Sequence, residues 1–116
     1  MAQPAHVLVV EDDRDLRDTV AAVLESEGYD VRCAENGAQA LALMHHGKPG
    51  AIVLDLTMPV MSGWELIDAV RADEALAHIP LVVLSATRAP AGVIHLSKPV
   101  SLDDLVTTLE RVCPRC

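Results

Sequence analysis

The sequence predicts an α/β fold, in which a doubly wound parallel sheet of five strands is covered by helices on both faces. Five short apolar runs alternate with segments whose apolar residues recur at helical spacing. Parallel neighbouring strands need long crossover connections of this kind, usually helices. A length of 116 residues provides a core for one domain but not for a second of ordinary size, so we expect residues 1–116 to form a single domain.

In the first half of the chain, a predicted strand is followed by a predicted helix, and this order occurs twice. The apolar run 6–10 predicts a strand that is buried on both faces. A helix is predicted after it by apolar residues at helical spacing and a terminating glycine, namely Leu16, Val20, Val23, Leu24 and Gly28. Residues 29–33 predict a second strand, and the Ala- and Leu-rich residues 38–46 predict a second helix that ends at Gly47.

The second half continues the alternation. Residues 51–54 predict a third buried strand, and a loop marked by Pro and Gly over 57–63 leads to a helix over 64–72. Residues 81–84 and 93–96 predict the fourth and fifth strands. Ser101 to Asp104 begin a last helix over 105–112, and residues 113–116 (Cys-Pro-Arg-Cys) are expected to be a frayed tail, because a zinc site would need two more ligands.

The connection between the fourth and fifth strands is unusually short. Twelve residues separate Ser85 from Lys98, and about five of them belong to the fifth strand. The remaining residues 86–92 include Pro90 and Gly92, whereas a typical helix alone takes roughly eleven residues. The fourth helix of the alternation is therefore predicted to be missing or reduced to a loop.

Charge and composition argue against several classes of protein. A formal net charge of -8 at pH 7 disfavours direct binding to nucleic acid or to an anionic membrane, which needs clustered Lys and Arg. The apolar run 7–10 is too short to span a membrane and follows no basic residue, so neither a signal peptide nor an anchor is expected. Three scattered cysteines do not make a disulfide framework, and a cytoplasmic location is expected.

Polar side chains follow four of the predicted strands, at the edge where parallel sheets of this kind bind ligands. They are Glu11, Asp12 and Asp13, then Asp55, Ser85 and Lys98. Carboxylates from two strands that converge on one edge repel one another unless a hard divalent cation neutralises them, and oxygen ligands suit Mg²⁺. Asp13 is expected to cap the first helix instead of binding the ion.

These residue types suit phosphoryl transfer. An ion at the carboxylates would screen the repulsion between a phosphoryl donor and Asp55, which would attack phosphorus. The Lys98 ammonium and the Ser85 hydroxyl would then receive phosphoryl oxygens.

Four motifs carry a family resemblance. They are Val7-Leu-Val-Val-Glu-Asp-Asp13, Asp55-Leu-Thr-Met-Pro-Val-Met-Ser-Gly63, Leu84-Ser-Ala86 and Ser97-Lys-Pro-Val100. Together, in this order and each at a strand end, they resemble response-regulator receiver domains of two-component signal transduction, the CheY-like superfamily. The resemblance covers nearly the whole chain and implies a flavodoxin-like (βα)5 fold.

The resemblance also implies a role for each site residue. Asp55 would be the phosphoacceptor, and Mg²⁺ or Mn²⁺ would bind Asp12 directly, Glu11 through water, Asp55, and the backbone carbonyl of Thr57. Ser85, Ala86 and Lys98 would contact the phosphoryl group, and the Lys98-Pro99 peptide resembles a cis bond of the family. Ser85 and His95 occupy the switch positions, although receivers usually carry Tyr or Phe where His95 stands.

Partners follow from the same resemblance. The phosphoryl donor would be a sensor histidine kinase or a histidine phosphotransfer protein, an output protein would respond, and a homodimer is compatible with the family.

The chain would not be an enzyme, beyond transfer to its own Asp55 and slow self-dephosphorylation. One alternative is a pseudo-receiver docking module whose phosphorylation is uncoupled from output, because the fourth helix is missing. A metal-dependent phosphatase is disfavoured, since Thr57 cannot serve as a second acid.

The short connection between the fourth and fifth strands predicts that phosphorylation changes a loop. Ser85 and His95 flank it, so movement of Ser85 toward a phosphoryl group is expected to act first on a loop instead of sliding a helix.

Overall fold

A computed structural model describes residues 6–56, 62–86 and 88–113, and in these residues a helix follows each of the five strands except the fourth. In these residues the elements are β1 (His6–Val10), α1 (Arg14–Ser26), β2 (Asp30–Ala34), α2 (Gly37–His46), β3 (Ala51–Asp55), α3 (Gly63–Ala72), β4 (Leu81–Ser85), β5 (Ile94–Ser97) and α4 (Leu102–Val112).

The strands form one parallel sheet in the order β2-β1-β3-β4-β5. The chain proceeds outward from β1 to β2 and then returns to the other side of β1, where β3 pairs with it. The strand order therefore reverses between β1 and β3, and the carboxyl ends of these two strands meet at the crevice where such sheets bind ligands. The predicted doubly wound α/β fold is confirmed.

The sheet separates two aliphatic core layers, because alternate residues of each strand point to opposite faces. On one face, Leu8, Ile52, Leu54 and Val83 of the strands pack with residues of α2 and α3 such as Leu66. On the other face, Val7, Val9 and Val53 of the strands pack with residues of α1 and α4 such as Leu105 and Leu109. The strands β1, β3 and β4 are buried along their whole length, as their continuous apolar runs predict.

The helices and strands begin and end close to the predicted positions. The last helix begins earlier than its apolar pattern, at Leu102, because the Ser101 hydroxyl caps it by accepting from the Asp104 backbone N–H at 3.3 Å. Described residues 86 and 88–93 contain no helix, so β4 leads to β5 through a short connection. The prediction that the fourth crossover helix is missing is confirmed.

The expectation of a frayed tail over 113–116 is wrong at its first residue. Cys113 is only 5% exposed and packs in the core layer beneath α1 and α4, and its backbone N–H donates to the Leu109 carbonyl at 2.7 Å. Its position four residues after Leu109 places it on the apolar face of α4. Residues 114–116, including Cys116, lie outside the described residues.

None of the described helices has the length and apolar character that crossing a membrane requires.

The start of α3 lies directly against the end of β3. The Gly63 backbone N–H donates to the Leu56 carbonyl at 2.9 Å, and a Cβ at Gly63 would lie 2.5 Å from both the Asp55 carbonyl oxygen and the Leu56 Cα. Only a residue without a side chain allows this approach. Trp64 follows at once on α3, with 41% of its surface exposed.

We predict that Gly63→Ala lowers the free energy of unfolding by about 2 kcal/mol, because backbone atoms of β3 and its following residue would have to shift to admit the new methyl group. Thermal or urea unfolding measures the change. Gly47→Ala is the matched control, since its Cβ would meet only the Arg32 and His6 side chains at 3.6 and 3.9 Å and its backbone is extended. It should change stability by less than about 0.5 kcal/mol. Equal losses in the two variants would contradict the close-approach explanation.

Candidate functional site

The sheet brings the predicted site residues to one edge. Strand β3 ends at Asp55, which pairs in register with Leu84 of β4, and Ser85 of β4 pairs with Ser97 of β5. Val10 of β1 pairs with Leu54, so the residues that follow β1 lie beside the end of β3. Parallel pairing therefore places the ends of four strands at a common level.

Three carboxylates meet at this edge. Each of Glu11, Asp12 and Asp55 offers an oxygen within 4.8 Å of those of the other two. Glu11 and Asp55 are buried, whereas Asp12 is exposed. Negative charges at such separations repel one another strongly where water is excluded, and oxygen-rich clusters of this kind suit hard divalent cations.

The pKa of Glu11 reflects the repulsion between these carboxylates. Its pKa is raised to about 7, chiefly because burial disfavours the charged form and also because Asp12 and Asp55 lie nearby, while the Asp13 backbone N–H and the Lys98 ammonium oppose the shift. The Glu11 Oε2 accepts from that Asp13 N–H at 3.2 Å. The Glu11 Oε1 is buried and has no hydrogen-bond partner in the described part of the chain, which is the condition that a cation or its water ligand would satisfy.

Lys98 provides the positive charge of the site. Its Nζ lies 3.0 Å from Asp55 Oδ2, with 30% of the Lys98 side chain and 8% of the Asp55 side chain exposed. The Lys98 backbone N–H donates to the Ser85 carbonyl at 3.0 Å, and the peptide that joins Lys98 to Pro99 is cis, as the resemblance implies. The ammonium therefore points at the carboxylate that the sequence predicts to be reactive.

Hydrogen bonds of the residues before and after Asp12 restrain it in the turn between β1 and α1. Asp13 caps α1 as predicted, because its Oδ1 accepts from the backbone N–H groups of Asp15 and Leu16 at 2.9 and 3.2 Å. The Arg17 Nη1 donates to the Glu11 carbonyl at 2.9 Å and so restrains the peptide that joins Glu11 to Asp12. Sequence reasoning missed Arg17, because an arginine near a helix start carries no signal of a backbone contact.

The remaining predicted residues lie at the ends of β4 and β5. Ser85 is buried, and its hydroxyl donates to the Arg88 carbonyl at 3.0 Å. His95 is exposed, with its Nε2 at 3.3 Å from the Ser85 carbonyl oxygen. Ala86 is exposed next to Ser85. Thr57, predicted to offer a backbone carbonyl to the metal, lies outside the described residues.

Comparisons with known proteins identify the family of the chain. The profile of the family described as "Response regulator receiver domain" matches residues 7–110. The response regulator MprA of Mycobacterium sp. (strain KMS) is 32% identical over 97% of this chain and 52% of its own length. The sensor histidine kinase TmoS of Ectopseudomonas mendocina is 46% identical over 69% of this chain, a match that covers 8% of that protein.

Solved structures give the same result. The chemotaxis response regulator CheY4 of Vibrio cholerae superposes with a TM-score of 0.86 at 33% identity, over 95% of this chain and 99% of that one. The chain spans about half the length of the MprA relative, 52%, and nearly all of CheY4. With its parallel sheet, its acidic cluster and its Asp55–Lys98 pair in the expected places, the chain belongs to the response-regulator receiver domain family of two-component systems.

Proposed function

We propose that the chain accepts a phosphoryl group on Asp55 in a magnesium-dependent reaction, and that the modified domain changes its contacts with an output protein. The observation that carries the proposal is the buried Asp55 carboxylate, which lies both in the three-carboxylate cluster and 3.0 Å from the Lys98 ammonium. A nucleophile, a cation site and a countercharge for the transferred group thus converge at one strand end.

Each residue would have a distinct part in the transfer. An Asp55 oxygen would bond to phosphorus as the donor's own bond to phosphorus breaks, which leaves an acyl phosphate on the protein. The Lys98 ammonium, already at Asp55, and the Ser85 hydroxyl would receive phosphoryl oxygens. Glu11, Asp12 and Asp55 would hold Mg²⁺ or Mn²⁺, and the ion would supply positive charge between the carboxylates and the incoming group. Self-dephosphorylation would be slow, and the chain would turn over no other substrate.

The donor would be a sensor histidine kinase or a histidine phosphotransfer protein. Relatives with matching segments include a protein described as a sensor histidine kinase and others described as response regulators, so receivers of this kind occur in both settings. We propose a cytoplasmic location for the same reaction. Transfer of the signal would depend on surfaces around the site, and self-association of the domain would be one form of output.

The absence of a helix in the described connection between β4 and β5 favours a second candidate, a pseudo-receiver that docks a partner without regulation by phosphorylation. The two candidates differ in whether phosphorylation changes the domain. A chain that acquires the phosphoryl group and shows no change in any partner contact or conformation would support the second.

We expect Asp55→Asn to abolish the mass gain of about 80 Da that acetyl phosphate with Mg²⁺ produces in the unmodified chain, because the amide keeps the shape of the carboxylate but is not nucleophilic. Intact-protein mass spectrometry measures this mass gain. Asp103→Asn, at an exposed acid in the first turn of α4, is the charge-matched control and should label normally. Labelling that persists in Asp55→Asn would show that another residue is the acceptor.

We expect Mg²⁺ to stabilise the fold, because a ligand that binds only the native state adds about 1.4 kcal/mol when present at ten times its dissociation constant. Asp12→Asn should lose this increment, measured as the Mg²⁺-dependent shift of the melting temperature. Asp13→Asn removes the same charge one residue away and keeps a capping side chain, so it should retain the increment. If both variants respond to Mg²⁺ like the unmodified chain, the cation binds elsewhere.

A further inference from the structure

An arginine near the start of α1 reaches back to the end of β1. The Arg17 Nη1 donates to the Glu11 carbonyl at 2.9 Å, across the turn that carries Asp12. A positive charge at this end of a helix is unfavourable, because the helix dipole attracts negative charge there. The helix itself therefore gains nothing from an arginine at this position, and the contact with the Glu11 carbonyl is the interaction that the side chain makes.

Of the three carboxylates in the acidic cluster, that of Asp12 is held least by packing. Glu11 and Asp55 are buried, whereas Asp12 is exposed. The Glu11 backbone N–H also donates to the Ala34 carbonyl of β2 at 3.0 Å, and Asp55 is the last residue of β3. Because packing does not set the direction of the Asp12 side chain, the backbone of the turn must set it.

The two peptide planes that flank Asp12 are held by different groups. A peptide is planar, so a hydrogen bond to its oxygen or from its N–H restricts the orientation of the whole plane. Arg17 holds the preceding plane at the Glu11 carbonyl, and the Glu11 Oε2 holds the following plane by accepting from the Asp13 N–H at 3.2 Å. The second restraint uses a carboxylate oxygen of the cluster itself. The restraint by Arg17 is independent of the carboxylates, and so it can persist when they bind an ion.

Mg²⁺ and Ca²⁺ respond differently to a ligand whose direction is not fixed. Mg²⁺ requires nearly ideal octahedral geometry with ligands at about 2.0–2.1 Å, whereas Ca²⁺ accepts flexible arrangements of more ligands at about 2.3–2.6 Å. A restrained carboxylate therefore favours Mg²⁺. Releasing the restraint should cost affinity for Mg²⁺ and change affinity for Ca²⁺ much less.

We propose that Arg17 is a positioning residue that makes the three-carboxylate cluster selective for Mg²⁺ over Ca²⁺, because it holds the Glu11 carbonyl and thereby directs the Asp12 carboxylate. A guanidinium has no acceptor for a cation, so Arg17 acts through the backbone and not as a ligand. The inference rests on the proposed function, in which Glu11, Asp12 and Asp55 hold the ion.

Positioning and charge predict opposite effects when the guanidinium is removed. Its positive charge repels a cation, so loss of the charge alone would strengthen the binding of both ions. Loss of the positioning contact would instead weaken the binding of Mg²⁺ and leave that of Ca²⁺ nearly unchanged. The sign of the change in Mg²⁺ affinity therefore distinguishes the two effects.

Separate titrations with MgCl₂ and CaCl₂, read as shifts in melting temperature, give a dissociation constant for each ion. Arg17→Met has a side chain of similar length without a donor. It should raise the dissociation constant for Mg²⁺ roughly tenfold, the lower end of the effect of contacts just outside a set of metal ligands, and that for Ca²⁺ less than about twofold. Arg17→Lys keeps a long cationic donor and should recover most of the selectivity.

Arg14→Met is the matched control, because it removes the same charge from the same turn of α1. The Arg14 Nε lies 3.8 Å from Asp18 Oδ2, and the Arg14 side chain is 84% exposed. This variant should leave the ratio of the two dissociation constants unchanged. If Arg17→Met does not fold, Arg17→Gln, whose side chain is shorter, replaces it with the same expected results.

Equal weakening of both ions in the Arg17 variant would show a general loss of structure and would overturn the proposal. An unchanged or stronger affinity for Mg²⁺ would overturn it as well. Intact mass after treatment of the unmodified chain with acetyl phosphate and Mg²⁺ separates this failure from failure of the proposed function. A chain that is labelled but whose selectivity does not depend on Arg17 refutes the positioning role alone, whereas an unmodified chain that binds neither ion refutes both.

Discussion

The close approach of three carboxylates is the constraint on which the rest of the structure depends. Glu11, Asp12 and Asp55 would separate if their backbones were free, because each adds to the negative potential of the others. They stay together because β1 and β3 are paired in register and buried on both faces, so that separation would require breaking the centre of the sheet. The Lys98 ammonium and the Asp13 backbone N–H reduce the conflict without removing it. The fold thus concentrates negative charge at this edge, and a divalent cation would neutralise it.

Much of the fold and of the site could be predicted because both depend on short-range patterns. Continuous aliphatic runs indicate the buried strands, and the carboxyl ends of parallel strands must share an edge, which predicts that Asp55, Ser85 and Lys98 lie together. The contacts of Arg17 with the Glu11 carbonyl and of Arg71 with the Ala91 carbonyl could not be predicted. A long side chain that reaches a distant backbone carbonyl leaves no periodicity or motif. Cys113 differs, since its spacing of four residues from Leu109 favours the apolar face of α4, whereas the Cys-Pro-Arg-Cys ending favours a tail.

Family membership establishes the type of domain, whereas the choice of partners depends on its surfaces. Matching segments occur in proteins described as a sensor histidine kinase and as response regulators, so segments similar to this chain occur in different kinds of protein. Specificity for a partner must then reside in the surfaces of the domain. The short connection between β4 and β5 makes the surface at this point differ from that of a receiver with a helix there.

Trp64 gives the protein a built-in optical reporter. It is the only tryptophan of the chain and lies one residue after Gly63, whose backbone touches the carbonyl end of β3. With no phenylalanine and a single tyrosine, Tyr29, which is buried on the other side of the sheet, near-ultraviolet emission comes almost entirely from this one indole. Because the ring is partly exposed one residue after the glycine that abuts Asp55, its spectrum reports the solvent environment at the start of α3. The unlabelled domain is therefore suited to stopped-flow fluorescence at a single known position.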